Sequence, residues 1–170
     1  MTVCFSGTLR CNIFSVMLKG KKVLIFDLGG VVIDLHVDRT FAGMASLGVP
    51  AAMLAERECL LNTNMMMYDR GDIITEEMFG YIRSFIPEAV CEAYGERLDS
   101  EVQRVWNLML GDVPVEKLEC LERLRAQGFR VVMLSNTNEG HWPQIEHLFV
   151  EACGKLPSQW FDALYLSYLM

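Results

Sequence analysis

The apolar run from Val23 to Phe26 stops at an aspartate, and two glycines follow within three residues. An ionised aspartate such as Asp27 can attack phosphorus in line and form an acyl phosphate that water later hydrolyses. Leu28, Gly29 and Gly30 would bring backbone amides close to the phosphate, because glycines leave room that a side chain would fill. The Gly29 carbonyl can also face a hard cation such as Mg²⁺. The motif therefore predicts a site for phosphate and magnesium.

A second apolar run, from Val131 to Leu134, ends in Ser135 and Asn136, which offer a hydroxyl and an amide. Ligands of open parallel sheets collect beyond the carboxyl ends of the strands, so this cluster and Asp27 are expected at one rim. Simpler interpretations stay open at this point. A strand-end aspartate can cap the following turn, and a serine can bond the backbone of its own loop.

The elements that must position these residues form α/β units. The segment from Asp112 to Gly128 predicts a helix, capped by Asp112 and closed by Gly128, directly before the second apolar run. A helix over about residues 142–150 then precedes a third strand-like run, Phe161 to Ser167. Helix and strand alternate in this order when helices cover a parallel sheet. We therefore expect an α/β domain with a Rossmann-like parallel sheet.

Between Asp34 and Leu110 the pattern changes, since apolar residues recur at helical spacing and no strand-like run is present. Thr75 is predicted to cap one of these helices, with Met78 and Phe79 opening its apolar face. The predicted organisation is an N-terminal extension (residues 1–20), expected to be unstructured, an α/β core (21–35 and 111–170) and a helical cap (36–110).

Composition narrows the class of protein. The chain has 170 residues, 15 basic and 22 acidic side chains and a net charge of −7. An acidic balance works against nucleic-acid binding, because phosphate backbones are bound by clustered lysine and arginine. No apolar stretch reaches the length of a membrane-spanning helix. The six cysteines are scattered without metal-ligand spacing, which suits reduced thiols and a cytoplasmic location.

The two motifs, "FDLGGVV" and "VVMLSNTN" on either side of a helical insert, resemble the haloacid dehalogenase-like (HAD) hydrolase superfamily. The similarity is greatest to its sugar-phosphate phosphatases. It implies a HAD-like core whose helical cap closes over a small phosphorylated metabolite. It also implies that Asp27 is the nucleophile and a Mg²⁺ ligand, that Gly29 is a backbone metal ligand, and that Ser135, with Asn136 beside it, binds phosphate.

The sequence departs from the family pattern in two places. Most phosphatases of the superfamily carry an acid two positions after the nucleophile, where this chain has Gly29. The family's later lysine and acidic pair have no match, because Lys155 precedes the third strand instead of following it. The resemblance therefore implies a C-terminally truncated member with an incomplete sheet. We expect such a chain to self-associate and to be a poor catalyst or an inactive one.

Other interpretations remain. A haloacid dehalogenase would use the same aspartate towards carbon, but normally has an aromatic residue at the position of Gly29. A non-catalytic binding module would explain the missing motifs. Arg70, in the stretch "NMMMYDRGD", is a candidate substrate contact. His36, His141 and His147 lack metal-ligand spacing and are expected to be ordinary residues.

Overall fold

The computed structural model of the chain describes residues 14–18, 21–50 and 63–170. Its strands are β1 (Phe14–Leu18), β2 (Lys21–Phe26), β3 (Arg130–Ser135) and β4 (Ala163–Leu166). The helices before β3 are α1 (Val37–Ser46), α2 (Thr63–Asp69), α3 (Thr75–Arg83), α4 (Glu88–Tyr94), α5 (Leu98–Trp106) and α6 (Val115–Ala126). Those after β3 are α7 (Trp142–Cys153) and α8 (Pro157–Trp160). Short 3-10 turns cover Gly95–Arg97, Asn107–Met109 and Ser167–Leu169.

The strands form one sheet in the order β1-β2-β3-β4, in which β2, β3 and β4 are parallel. All three runs predicted as strands are therefore strands, and the predicted α/β sheet is confirmed. Phe26 pairs with Met133, and Ser135 pairs with Leu166. This register brings the residues that follow β2, β3 and β4 to the same edge of the sheet.

β1 corrects one expectation, because residues 14–18 lie within the segment expected to be an unstructured extension. Their backbone pairs antiparallel with β2, from Phe14 opposite Ile25 to Leu18 opposite Lys21. The backbone groups of β2 are the partners in these hydrogen bonds, so the residues of the segment itself do not indicate that it forms a strand. The sheet is thus mixed, with an antiparallel strand at one edge.

One face of the sheet is covered by α6 and α7. Alternate strand residues, including Phe26, Val131 and Met133, contribute to an apolar core with Leu118 of α6 and Phe149 of α7. The opposite face is more open: Leu134 and Tyr165, which are partners in the β3-β4 register, are 48% and 46% exposed. The helix-covered face is therefore the main core of the α/β part.

The start of α6 differs from the prediction. The helix begins at Val115 after Pro114, so Asp112 lies two residues before the cap position and its side chain is exposed. Its carbonyl instead accepts the backbone N–H of Asp34, where the chain leaves the core. The predicted end is confirmed, since the helix stops at Ala126 and Gly128 follows with a φ of +85°.

The described parts of residues 36–110, which we call the helical insert, have a second apolar core. Buried side chains that include Met44, Phe79, Val102 and Trp106 form it. The insert is joined to the α/β part by two adjacent segments, where Leu35 bridges Leu110 and Gly111 donates its N–H to Asp34.

Thr75 was predicted to cap its helix, but it is the first residue of α3. Ile74 takes the cap position, and its N–H donates to the Glu77 carboxylate at 3.0 Å. The Thr75 hydroxyl is engaged elsewhere: it donates to Glu139 at 2.6 Å and shares a hydrogen bond with Tyr68. The prediction failed by one residue because the hydroxyl expected to cap the helix bonds instead with Glu139, which is 64 positions away in the sequence.

Candidate active site

Asp27 lies directly after β2 with its side chain exposed at the edge where the parallel strands end. The backbone N–H of Leu28 donates to Asp27 Oδ1 at 2.7 Å, which orients the carboxylate. Leu28 itself is 1% exposed, and its carbonyl accepts the N–H groups of Val32 and Ile33 in a tight turn. A buried anchor therefore holds an exposed carboxylate in a defined direction.

The two glycines after this residue have different structural reasons. Gly30 has a φ of +70°, a backbone conformation that favours glycine, and its N–H donates to Ile33 O at 2.8 Å. A Cβ on Gly29 would lie 2.8 Å from the Leu35 side chain. The Leu28 amide thus already donates to the Asp27 carboxylate, and the Gly30 amide to the turn. Their proposed contact with phosphate stays a prediction and would require the turn to share or release these donors.

Ser135 ends β3 and is 4% exposed, whereas Asn136 beside it is exposed. The Ser135 hydroxyl makes only a long contact, 3.4 Å, to Asn136 O, so it retains capacity for a better acceptor. Thr137, which follows Asn136, is firmly held. Thr137 N donates to Ser167 Oγ at 3.0 Å, and that hydroxyl donates back to Thr137 O at 3.0 Å. The residue after β4 therefore fixes the loop that follows Ser135.

The helical insert meets this edge through the end of α2 and the turn after it. A Cβ on Gly71 would collide with the backbone of Tyr168, so the turn lies against the residues that follow β4. Arg70, in the same turn, is exposed and pairs with Asp72 at 2.8 Å. The insert is thus adjacent to the edge that carries Ser135, while contact of Arg70 with a substrate stays a prediction.

Sequence reasoning did not single out Asn138, and it treated His141 as ordinary. Both are buried in the loop after Ser135, at 1% and 5% exposure. Asn138 donates to Asp69 of α2 at 3.0 Å. Burial raises the pKa of the Asp69 carboxyl, and the Asn138 hydrogen bond opposes that effect. The available signal was the polar run "SNTNEGH" directly after an apolar strand, which is unusually rich in hydrogen-bonding groups.

The donors near Asp27 are of the kind that Mg²⁺ accepts. Among the described residues no group of three or more His, Cys, Asp or Glu side chains is arranged to hold a metal ion. Mg²⁺, however, usually keeps several waters and is bound through one or two carboxylates together with substrate phosphate. The Asp27 carboxylate and the Gly29 carbonyl therefore fit this cation as a minimal donor set.

Comparison with solved structures decides the fold. A HAD family enzyme of Bacteroides thetaiotaomicron, in complex with magnesium and inorganic phosphate, superimposes with a TM-score of 0.71 and 29% identity. The match covers 86% of this chain and 68% of that chain. The chain therefore has a HAD-like fold. A predicted HAD-like family hydrolase from Porphyromonas gingivalis supports the fold alone, with a TM-score of 0.65, 23% identity and coverage of 86% and 66%.

A curated relative of this chain is D-ribitol-5-phosphate phosphatase of Bacteroides thetaiotaomicron. It is 27% identical over 151 residues, which cover 86% of this chain and 68% of the relative. A magnesium complex of the HAD family enzyme matches with a TM-score of 0.71, 28% identity and coverage of 89% and 70%. No protein-family model matches the chain. The resemblance seen in the motifs is thus confirmed, and the HAD family neighbours that the chain resembles bind magnesium.

Proposed function

We propose that this chain is a Mg²⁺-dependent phosphatase of a small phosphorylated metabolite, a sugar phosphate or a sugar-alcohol phosphate. The observation that carries the proposal is the Asp27 carboxylate, exposed at the carboxyl end of β2 and oriented by the Leu28 amide. The magnesium and phosphate held by a HAD family neighbour support the same chemistry. The name of the curated relative supports the choice of substrate class.

In the proposed reaction, the free oxygen of the Asp27 carboxylate attacks phosphorus and forms an acyl phosphate. The bond from phosphorus to the substrate oxygen breaks, and that oxygen leaves as an alcohol after taking a proton. Gly29 has no side chain to give this proton, so we assign it to water. Water then attacks the acyl phosphate, which releases inorganic phosphate and restores the carboxylate.

Other residues of the edge are assigned binding roles. Ser135 and Asn136 bind the phosphoryl oxygens, because Ser135 has an under-used hydroxyl and Asn136 an exposed amide. Asp27 and the Gly29 carbonyl would hold Mg²⁺, which supplies positive charge that neutralises the phosphoryl group. The amide of Gly29 contributes a further donor to phosphate, and those of Leu28 and Gly30 would do so once released from Asp27 and Ile33. The helical insert acts as a cap over the rest of the substrate, and Arg70 is its candidate contact.

The test is phosphate release from a panel of sugar and sugar-alcohol phosphates, including ribitol 5-phosphate, with Mg²⁺ or with EDTA. We expect release that requires Mg²⁺ and is lost in Asp27→Asn. Asp38→Asn is the matched control, because it makes the same change at an exposed carboxylate in the first turn of α1. Mg²⁺-dependent release that persists in Asp27→Asn would contradict the assignment of the nucleophile.

A non-catalytic role is the second candidate. It is favoured by the lack of a three-carboxylate metal cluster in the described residues, and by a glycine at the position that is normally acidic. A chain of this kind would bind Mg²⁺ or phosphate in titration calorimetry and release no phosphate from any member of the panel. Turnover in the same panel would exclude this role.

Other expectations about partners stay predictions. They are the lack of nucleic-acid binding, the cytoplasmic location and self-association, for which the half-exposed Leu134 and Tyr165 are the relevant surface. No helix in residues 14–18, 21–50 and 63–170 combines the length and apolar character needed to cross a membrane.

A further inference from the structure

A buried polar cluster lies where the loop after β3 meets two helices of the insert. Asn138 and His141 belong to the loop, Asp69 ends α2, and Trp106 ends α5. Asn138, His141 and Trp106 are each at most 5% exposed. Because buried polar groups are costly unless they are hydrogen-bonded, each contact in this cluster restricts the geometry of the junction.

Every hydrogen-bonding position of the Asn138 side chain faces a partner, with two contacts at 3.0 Å and two longer ones at 3.4 Å. Its amide Nδ2 donates to Asp69 Oδ1 at 3.0 Å and lies 3.4 Å from His141 Nδ1. Its Oδ1 accepts the backbone N–H of His141 at 3.0 Å and the indole N–H of Trp106 at 3.4 Å. Both of these N–H groups can only donate, so the oxygen of the amide must face them. The side chain therefore has one satisfactory orientation.

His141 reinforces that orientation. Its Nε2 lies 3.1 Å from the carbonyl oxygen of Trp106, which can only accept, so Nε2 carries the hydrogen. Burial lowers the pKa of His141 to about 4, which keeps the ring neutral and leaves Nδ1 as an acceptor for Asn138. The imidazole also stacks on the Trp106 ring at a centroid distance of 5.1 Å.

The position of Asn138 connects this cluster to the proposed phosphate site. It lies three residues after Ser135, and Thr137 between them is fixed by Ser167 on the side of β4. The loop is thus anchored to the sheet by Thr137 and to the insert by Asn138, with further contacts from Glu139 to Thr75 and from His141 to Trp106. Loss of the Asn138 contacts would leave Ser135 in place but would loosen the alignment of α2 and α5 with it, because Asn138 is bonded to the end of each helix.

Building on the proposed function, we propose that Asn138 is a positioning residue that aligns the helical insert with the loop carrying Ser135. Through Asp69 it holds the end of α2, and through Trp106 the end of α5. The insert then presents its substrate-facing side to the phosphate site in one arrangement. Asn138 itself acts through these neighbours and does not contact the reacting atoms.

The variant that tests this is Asn138→Asp, which keeps the size and both acceptor contacts but loses two donors and opposes a second carboxylate to Asp69. We expect KM for the best substrate of the panel to rise about tenfold, since a hydrogen bond to a charged group is replaced by repulsion. The inhibition constant of inorganic phosphate should stay within about twofold, because phosphate alone touches the anchored loop and not the insert. Gln127→Glu, at the exposed end of α6, controls for added charge.

Rescue separates positioning from general damage. Asp69→Asn alone should change KM little, because a flipped amide can still accept from Asn138. In the double variant Asn138→Asp/Asp69→Asn, an amide donor again faces a carboxylate, and KM should return to within about threefold of the parent. If Asn138→Asp fails to fold, Asp69→Ala removes only the α2 partner and should raise KM about fivefold without changing phosphate inhibition.

Four results overturn the proposal. They are an unchanged KM in both Asn138→Asp and Asp69→Ala, a parallel rise in KM and in the phosphate inhibition constant, no recovery in the double variant, and equal effects in Gln127→Glu. A parent chain without Mg²⁺-dependent phosphate release would instead overturn the proposed function, and this role with it. The two failures are distinguishable, because the first set requires an active parent.

Discussion

Replacement of Gly140 by alanine tests how tightly the loop after β3 packs against the insert. A Cβ at this position would collide with the hydroxyl oxygen of Tyr68, whose side chain is fully buried in α2. The φ of Gly140 lies outside the left-handed region, so alanine meets no backbone penalty there. Any loss of stability must therefore come from the contact between the new methyl group and Tyr68.

The size of the effect follows from this contact. An added methyl group in a packed interior typically costs about 1–3 kcal/mol, because neighbours must leave their preferred positions. Tyr68 has little freedom to move, since its hydroxyl is held by Thr75 at 2.9 Å and its ring packs near Trp106. We expect a loss of about 2 kcal/mol, which would lower Tm by about 4–8 °C in a chain of this size.

A double-mutant cycle with Tyr68→Phe identifies the cause. That change removes the hydroxyl with its hydrogen bonds to Thr75 and to the Gly140 backbone, at a cost of about 1–2 kcal/mol, while Thr75 keeps its bond to Glu139. The vacated space can accept the methyl group that Gly140→Ala introduces. The double variant should therefore be more stable than the sum of the single losses predicts, by about 1 kcal/mol or more.

Urea unfolding followed by circular dichroism measures the free energy of unfolding of the parent, the two single variants and the double variant. Gly80→Ala is the matched control, because this helical glycine has no side-chain atom nearer than 3.6 Å to an added Cβ. It should gain about 0.5–1 kcal/mol from helix propensity. Strict additivity in the cycle, or a Gly140→Ala variant as stable as the parent, would refute the packing argument.

Three further changes have defined outcomes. Phe149→Ala empties a fully buried site between α7 and the sheet, and should cost about 3–5 kcal/mol in urea unfolding with an unchanged m-value. His141→Gln should flatten the pH dependence of stability. The pKa of His141 is about 4 in the folded chain and 6.5 in the unfolded chain. The free energy of unfolding of the parent therefore falls by up to about 1.4 kcal/mol per pH unit as the pH drops from 6.5 towards 4. The same pH slope in both proteins would contradict the neutral, buried imidazole. Lys117→Met breaks the 2.8 Å ion pair with the half-exposed Asp34, so it should lower the free energy of unfolding by at most about 1 kcal/mol. Thermal melts should show that this loss becomes smaller as salt is added, because salt screens the pair in the parent.

The elements best predicted from sequence were those whose own residues determine them. The apolar runs before Asp27 and after Phe129 are strands because their residues are buried on at least one face, and this pattern is local. Gly128 ends its helix through its own left-handed backbone. Asp27 directly follows one of these strands and Ser135 ends the other, so their position at one edge of the sheet was also predictable.

Elements that depend on distant partners were not predictable in the same way. Residues 14–18 pair through backbone groups of β2, and Thr75 bonds with residues of another element. In the sequence, Asn138 is indistinguishable from the other polar residues of its loop. Its burial arises only when α2 and α5 close over it, and nothing in the neighbouring sequence distinguishes it from the exposed Asn136.

The placement of the insert has a consequence for how the chain folds. β2 pairs with β3, although Val23 and Arg130 are more than a hundred residues apart in sequence. Closing so long a loop is entropically unfavourable and slow, whereas the apolar core of the insert forms from nearer neighbours. Once the insert has folded, Leu35 and Leu110 lie side by side, and the remaining closure is short. The domain proposed to select the substrate would therefore also act as the early folding unit that allows the two halves of the sheet to meet.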